Sequence, residues 1–184
     1  FNFVDQISNT GIQKFVVHAR KAVLNGLNPK QNREIPPLNY PLVSQLKAQK
    51  NDLQIILNGG IKSIKSGLKN IKEHNLDGFM IGREAYQNPF ILSEVDNTIF
   101  QEKNFISRGE IAFKVAQYID EYCNIFENED YKIIRHILGL YNGMPGAKKW
   151  RTRLIKKDKY RIKGDKVRFA TDEIEELILN NRAA

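Results

Sequence analysis

Short apolar runs alternate with stretches of helical periodicity in the first half of the chain. The runs at residues 15–17, 53–57 and 79–81 are rich in β-branched and aromatic residues and too brief for helices, so they predict strands. A helix is predicted to open at Pro41, and residues 63–75 carry apolar side chains at helical spacing. This alternation is typical of a parallel sheet with helices packed outside it.

The second half of the chain has a helical pattern throughout, beginning after residue 88. Ser107, with a glutamate three residues later, fits a capping box in front of a first helix. A second helix is predicted over about residues 130–141, and a third begins near Pro145. Thr171 is predicted to cap a last helix, because several acidic residues follow it at once.

These two sequence patterns predict an α/β portion at residues 1–98 followed by an all-α helical bundle at residues 99–184. Only about three strands are visible, and three parallel strands do not make a stable sheet or barrel by themselves. We therefore expect further strands before Phe1, and we expect the chain to be the C-terminal part of a longer protein.

Two glycine turns follow neighbouring strands and form the most informative pattern in the sequence. The run Asn58-Gly59-Gly60 ends the second predicted strand, and Gly82-Arg83 ends the third. Glycine leaves backbone N–H groups accessible, and a guanidinium group matches the oxygens of a phosphate monoester. The pair predicts a phosphate-binding site, whereas two ordinary strand-to-helix turns with a surface arginine are the alternative.

The net charge of +8 is concentrated in one segment. Residues 148–168 contain eleven lysines and arginines against two aspartates. The aromatic residues Trp150, Tyr160 and Phe169 lie within or beside this segment and offer stacking surfaces for RNA bases. A polyanion is the predicted partner, and a solvated lysine-rich surface is the alternative.

Other chemistries have little support in the sequence. The chain has one cysteine and three histidines, and no secretion signal or membrane-length apolar run is visible. We expect a cytoplasmic protein without disulfides, without a metal site and without a membrane partner. Cys123 keeps step with apolar helix positions and is expected in a core rather than as a nucleophile.

Five sequence blocks resemble the bacterial tRNA-dihydrouridine synthase A family in order and spacing. They lie at residues 17–22, 26–38, 58–61, 80–86 and 143–151. The resemblance implies the C-terminal part of an FMN-dependent (β/α)8 TIM barrel, followed by a helical tRNA-binding domain. It also implies that uridine in the tRNA D-loop is reduced to 5,6-dihydrouridine, with NADPH as the electron source.

The resemblance assigns roles to individual residues. The implied FMN-binding residues are His18, Asn58, Gly59, Gly60, Gly82 and Arg83. The implied tRNA-binding residues are Arg20, Lys30, Arg33, Lys148 and Arg151. Lys148 stands where the family more usually has arginine, so it keeps a charge for phosphate but not a bidentate fork.

The resemblance places the catalytic acid, a cysteine, on a loop that precedes this chain, so no catalytic residue is expected within residues 1–184. We expect the chain alone to be inactive and the intact protein to be a monomer. Two alternatives remain open: another FMN-dependent barrel oxidoreductase acting on a small molecule, and a noncatalytic RNA-binding module. The basic segment favours an RNA substrate, because a small-molecule enzyme does not need it.

Overall fold

The computed structural model describes residues 1–103, 105–125, 130–156 and 164–183. The side chains of residues 123–125 lie outside this description, so the expectation for Cys123 is not addressed. The chain divides into two compact units, Phe1–Glu84 and Ala85–Ala184.

The first unit contains a three-stranded parallel sheet, as the sequence predicts. Strand β1 is Lys14–His18, β2 is Gln54–Asn58 and β3 is Gly78–Met80, and they lie in the order β1-β2-β3. His18 is paired with Asn58, which is paired in turn with Met80. The carboxyl ends of all three strands therefore meet at one edge of the sheet.

The helices of the first unit follow the predicted alternation with the strands. They are α1 at Asn2–Ser8, α2 at Pro29–Asn32, α3 at Tyr40–Gln49 and α4 at Ile64–Glu73, and α5 at Arg83–Gln87 begins at the end of the unit. Asn39 caps α3 by accepting a hydrogen bond from the N–H of Leu42 at 3.0 Å. Ser63 caps α4 in the same way through the N–H of Ser66.

The core of the first unit lies between the sheet and its helices. Ile55 and Leu57 of β2 are fully buried, and Val43 and Leu46 of α3 belong to the same cluster. Buried aliphatic side chains of this kind each stabilise the fold by about 1.5–3 kcal/mol. The sheet is thus fixed from one side, and the residues that follow each strand are held at a defined edge.

The second unit is helical. After a 3-10 turn at Pro89–Ser93, its helices are α6 at Glu94–Thr98, α7 at Arg108–Ile125, α8 at Asp130–Ile134, α9 at Ala147–Ile155 and α10 at Asp165–Ala183. The predicted capping box of α7 is confirmed: the N–H of Glu110 donates to the Ser107 hydroxyl, and the N–H of Ser107 donates to the Glu110 carboxylate. Trp150 and Tyr141 form the centre of the core, with their ring centroids 4.8 Å apart.

Two helix predictions in this unit were wrong. The helix expected over residues 130–141 ends at Ile134, because the chain continues in successive turns closed by hydrogen bonds three residues apart. Thr171 is not a cap: it lies in the middle of α10, fully buried, and its hydroxyl donates to the carbonyl of Val167 at 2.7 Å. A threonine within a helix can donate its hydroxyl to a backbone carbonyl of the preceding turn, so its polar group is satisfied without a position at the helix N-terminus.

Residues 85–98 group with the helical unit, whereas the sequence assigned them to the α/β portion. The physical reason is the side chain of Phe90, which packs against the helical core. The Arg108 guanidinium lies 3.8 Å from the centroid of the Phe90 ring.

Candidate functional site

The turn after β2 has a backbone that favours glycine at two successive positions. Gly59 has a φ of +117° and Gly60 a φ of +72°, in the region that side chains with a Cβ rarely adopt. A Cβ on Gly60 would also lie 2.5 Å from Leu38 Cδ1. The Tyr40 hydroxyl donates to the carbonyl of Gly59 at 2.7 Å and fixes the turn.

The turn after β3 has a different geometry. Gly82 lies outside the left-handed region, and a Cβ there would meet nothing closer than Met80 Sδ at 3.8 Å. Glycine at this position therefore leaves open space beside the backbone rather than permitting a special conformation. Within the part of the chain that the structure describes, the N–H groups of Gly60 and Gly82 make no hydrogen bond.

His18 lies at the same sheet edge, and the pKa of its imidazole is lowered. Burial is the largest cause that lowers the pKa of its imidazole. The guanidinium groups of Arg20, Arg83 and Arg33 lower this pKa further, and the Asn58 side chain acts in the opposite direction. The ring is therefore neutral near pH 7. Its Nε2 atom is buried without a hydrogen-bond partner among the described residues.

The loop from residue 21 to residue 39 is internally ordered. The Asn32 amide accepts from the N–H of Val23 at 2.7 Å and donates to the carbonyls of Val23 and Leu27 at 2.9 and 3.1 Å. Asn28 and Gln31 form a reciprocal capping box around α2. Lys30 and Arg33 thus project as exposed side chains from a defined loop.

Two arginines fasten this loop to the strand ends. Arg20, just beyond β1, donates through Nη1 to the backbone carbonyls of Glu34 and Pro36. Arg83, just beyond β3, contacts the Glu34 carboxylate at 3.1 Å through Nη1 and the Arg33 carbonyl at 3.5 Å through Nη2. The sequence gives no prediction for Glu34, whose only signal is an acidic side chain within a basic loop.

The second unit holds the other two predicted tRNA contacts. Lys148 and Arg151 are exposed on α9 and have no ion-pair partner within the described residues. Trp150 and Leu154 occupy the buried side of the same helix. Lys148 lines an open cavity of about 550 Å³ together with Lys149, Thr152, Arg153, Lys156, Gly146 and Glu173.

Fewer residues of the basic segment are available to bind RNA than the sequence suggested. Trp150 is 1% exposed, and its Nε1–H donates to the Ile137 carbonyl at 3.1 Å, so the prediction that it stacks on RNA bases was wrong. Arg168 pairs with Asp120 at 2.6 Å, and Lys166 is buried. Residues 157–163, which include Tyr160, lie outside the described residues.

The structure therefore gathers most of the predicted site residues at one edge of the sheet in the first unit, and the other two belong to the second unit. The first group comprises His18, Arg20, Arg33, Asn58, Gly59, Gly60, Gly82 and Arg83, with Lys30 on the attached loop. Lys148 and Arg151 belong to the other unit. The searched residues contain no group of three or more potential metal ligands among His, Cys, Asp and Glu. Among the described helices, none is both long and apolar enough to cross a membrane.

Comparison with known proteins identifies a family that this chain resembles over most of its length. The dihydrouridine synthase family model matches residues 1–175. The tRNA-dihydrouridine(20/20a) synthase of Pseudomonas aeruginosa is 42% identical over 151 residues, which cover 82% of this chain and 45% of that protein. The synthases of the same description from Vibrio vulnificus and Synechocystis sp. are 46% and 43% identical, each over 156 residues. These two alignments cover 82% and 83% of this chain, and 46% and 45% of the relatives.

The chain spans about half the length of the curated relatives that it matches, for example 45% of the Pseudomonas aeruginosa protein. The family match extends through both units described above. The chain belongs to the dihydrouridine synthase family.

Proposed function

We propose that this chain is part of a tRNA-dihydrouridine synthase that reduces D-loop uridine to 5,6-dihydrouridine, with FMN as cofactor and NADPH as electron source. The three parallel strands would be the C-terminal part of a (β/α)8 TIM barrel, and the helical unit would be a tRNA-binding bundle. The observation that carries the proposal is the sheet edge at which two glycine turns, Arg83 and neutral His18 converge.

The residues present fit a flavin mononucleotide with its phosphate at this edge. The N–H groups of Gly60 and Gly82 are available as donors, and the exposed Arg83 guanidinium supplies a bidentate cation. His18 Nε2 is an unpartnered polar atom of the kind that a ligand satisfies. When bound, FMN supplies the hydride chemistry of the reaction.

The neutral state of His18 has a consequence for cofactor binding. A neutral imidazole can accept or donate one hydrogen bond without adding charge beside a flavin ring. Burial, and after it the nearby guanidinium groups, keep the ring neutral near pH 7 by lowering its pKa. We propose that His18 orients the ring system while Arg83 and the backbone amides hold the phosphate.

The proposed tRNA contacts fall into two sets. Lys30 and Arg33 lie on the ordered loop beside the cofactor edge, where they would contact the nucleotides around the target uridine. Lys148 and Arg151 on α9 would contact phosphates elsewhere on the folded RNA. Arg20 is engaged with loop carbonyls, so we propose that it acts on the substrate by holding this loop. A tRNA substrate would place the reaction in the cytoplasm.

A direct test uses the purified protein that contains this chain, with FMN, NADPH and unmodified tRNA transcript. Dihydrouridine is measured by mass spectrometry of nuclease digests. The proposal expects dihydrouridine in the D-loop and a strong loss of product in the Arg83→Ala variant. Reduction of free uridine with none in tRNA would favour the small-molecule oxidoreductase, and tRNA binding without any flavin binding would favour the noncatalytic module.

A further inference from the structure

Glu34 occupies an unusual position between two strand ends. Its backbone carbonyl accepts a hydrogen bond from Arg20, which follows β1, at 3.4 Å. Its carboxylate contacts Arg83, which follows β3, at 3.1 Å. A single loop residue therefore contacts both strand-end arginines. Arg33, one of the proposed tRNA contacts, directly precedes Glu34. The carbonyl of Arg33 accepts a hydrogen bond from the same Arg83 guanidinium.

The Glu34–Arg83 pair is a poor candidate for a stabilising ion pair. The two side chains are 47% and 52% exposed, and pairs in such surroundings add little to stability because water screens them. Its effect is geometric instead. Arginine has a long stem with many rotamers, and the carboxylate and the Arg33 carbonyl fix its guanidinium from the side of the loop. A guanidinium carries five N–H donors, so others remain available for a second anion.

We propose that Glu34 is a positioning residue that orients Arg83 toward the cofactor phosphate and links that phosphate to the loop carrying Lys30 and Arg33. This inference rests on the proposed function, because it requires FMN at the sheet edge. It makes phosphate binding and loop order depend on each other. A phosphate that holds Arg83 also holds the carboxylate and carbonyl of residues 33 and 34 in place.

Positioning and plain electrostatics predict opposite results for the loss of this carboxylate. A negative charge beside a phosphate repels it, so charge alone predicts tighter FMN binding in a Glu34→Gln variant. Loss of the group that orients Arg83 predicts weaker binding, because the guanidinium must then be ordered when the ligand binds. The sign of the change therefore separates the two explanations.

The experiment compares FMN with riboflavin, which lacks the phosphate, by quenching of flavin fluorescence on the protein that contains this chain. We expect Glu34→Gln to weaken FMN binding roughly two- to fivefold and to leave riboflavin binding unchanged. Glu34→Asp keeps the charge but shortens the reach, so it should also weaken FMN binding. The matched control is Glu84→Gln, which removes the same charge next to Arg83 at a residue without an ion pair in the described structure.

A second readout follows the loop itself. Hydrogen exchange of amides in residues 30–35 should slow when FMN is added to the unchanged protein, slow less in Glu34→Gln, and stay unaffected by riboflavin. FMN affinity that is equal or higher in Glu34→Gln, or equal losses for FMN and riboflavin, would overturn the inference and leave the proposed function standing. An unchanged protein that binds FMN no better than riboflavin would overturn both.

Discussion

Alanine at Gly60 and alanine at Gly82 provide a matched pair of perturbations at the candidate phosphate site. Gly60 has a φ of +72°, and an alanine there must adopt a left-handed conformation. That conformation costs roughly 1–2 kcal/mol for an L-residue. The added Cβ would also lie 2.5 Å from Leu38 Cδ1, but this atom is the end of a side chain that is 37% exposed and can move.

We therefore expect Gly60→Ala to lower the free energy of unfolding of the first unit by about 1–3 kcal/mol. A loss of this size lowers the midpoint of thermal unfolding by about 4–8 °C for each kcal/mol in a unit of this length. Gly82→Ala should leave stability nearly unchanged, because its Cβ would be 3.8 Å from the nearest atom. It should instead weaken FMN binding more than riboflavin binding, since the methyl group occupies space beside the proposed phosphate.

Stability is measured by chemical denaturation followed by circular dichroism, with hydrogen exchange of peptides from residues 53–61 to locate the change in the first unit. Hydrogen exchange of peptides from α9, which carries the buried Trp150, reports separately on the second unit. Equal stability losses in the two alanine variants, or full stability in Gly60→Ala, would refute the reasoning about backbone conformation.

Three further predictions concern packing, protonation and RNA binding. Gly67→Ala should destabilise the first unit by about 1–3 kcal/mol, measured by denaturant unfolding, because a Cβ there would overlap the Phe79 ring. Stability should fall as the pH drops below about 6.5, because the lowered pKa of His18 means that the unfolded state binds more protons; His18→Gln should flatten this profile. Replacing both Lys148 and Arg151 with alanine should weaken the salt dependence of tRNA binding. The slope of the logarithm of the binding constant against the logarithm of the salt concentration should become shallower by roughly 0.7–0.9 for each lost phosphate contact.

Unchanged stability of Gly67→Ala would mean that the helix carrying it can shift away from the sheet. A pH profile that is the same with and without His18 would assign the dependence to another group. Lys69→Ala, which removes a lysine paired with Glu73 on α4, should leave the salt slope of tRNA binding unchanged. An equal effect of that control would argue for nonspecific attraction.

The three strands and the glycine turns could be predicted from local sequence because their signals are local. Each strand is a short β-prone run, and the run Asn58-Gly59-Gly60 follows one of them directly. Parallel pairing then brings the ends together without further information. The role of Glu34 could not be predicted in this way, because its partner Arg83 is 49 positions later in the sequence.

Trp150 and Thr171 show why composition and motif were insufficient in the helical unit. An aromatic residue within a basic segment can face either the solvent or the core. Trp150 lies in the core, where its ring packs against Tyr141. Threonine before acidic residues is typical of a helix start, yet Thr171 lies in mid-helix, fully buried, with its hydroxyl bonded to the Val167 carbonyl. In both cases, tertiary packing overrode a local preference.

The most direct test of the central claim is a crystal structure of the FMN complex of the protein that contains this chain. The account predicts that the phosphate lies at the carboxyl ends of β2 and β3, accepting hydrogen bonds from the N–H groups of Gly60 and Gly82 and from Arg83. Arg83 should keep its contact with Glu34 in that complex. A flavin phosphate bound elsewhere, with these amides facing water, would contradict the account.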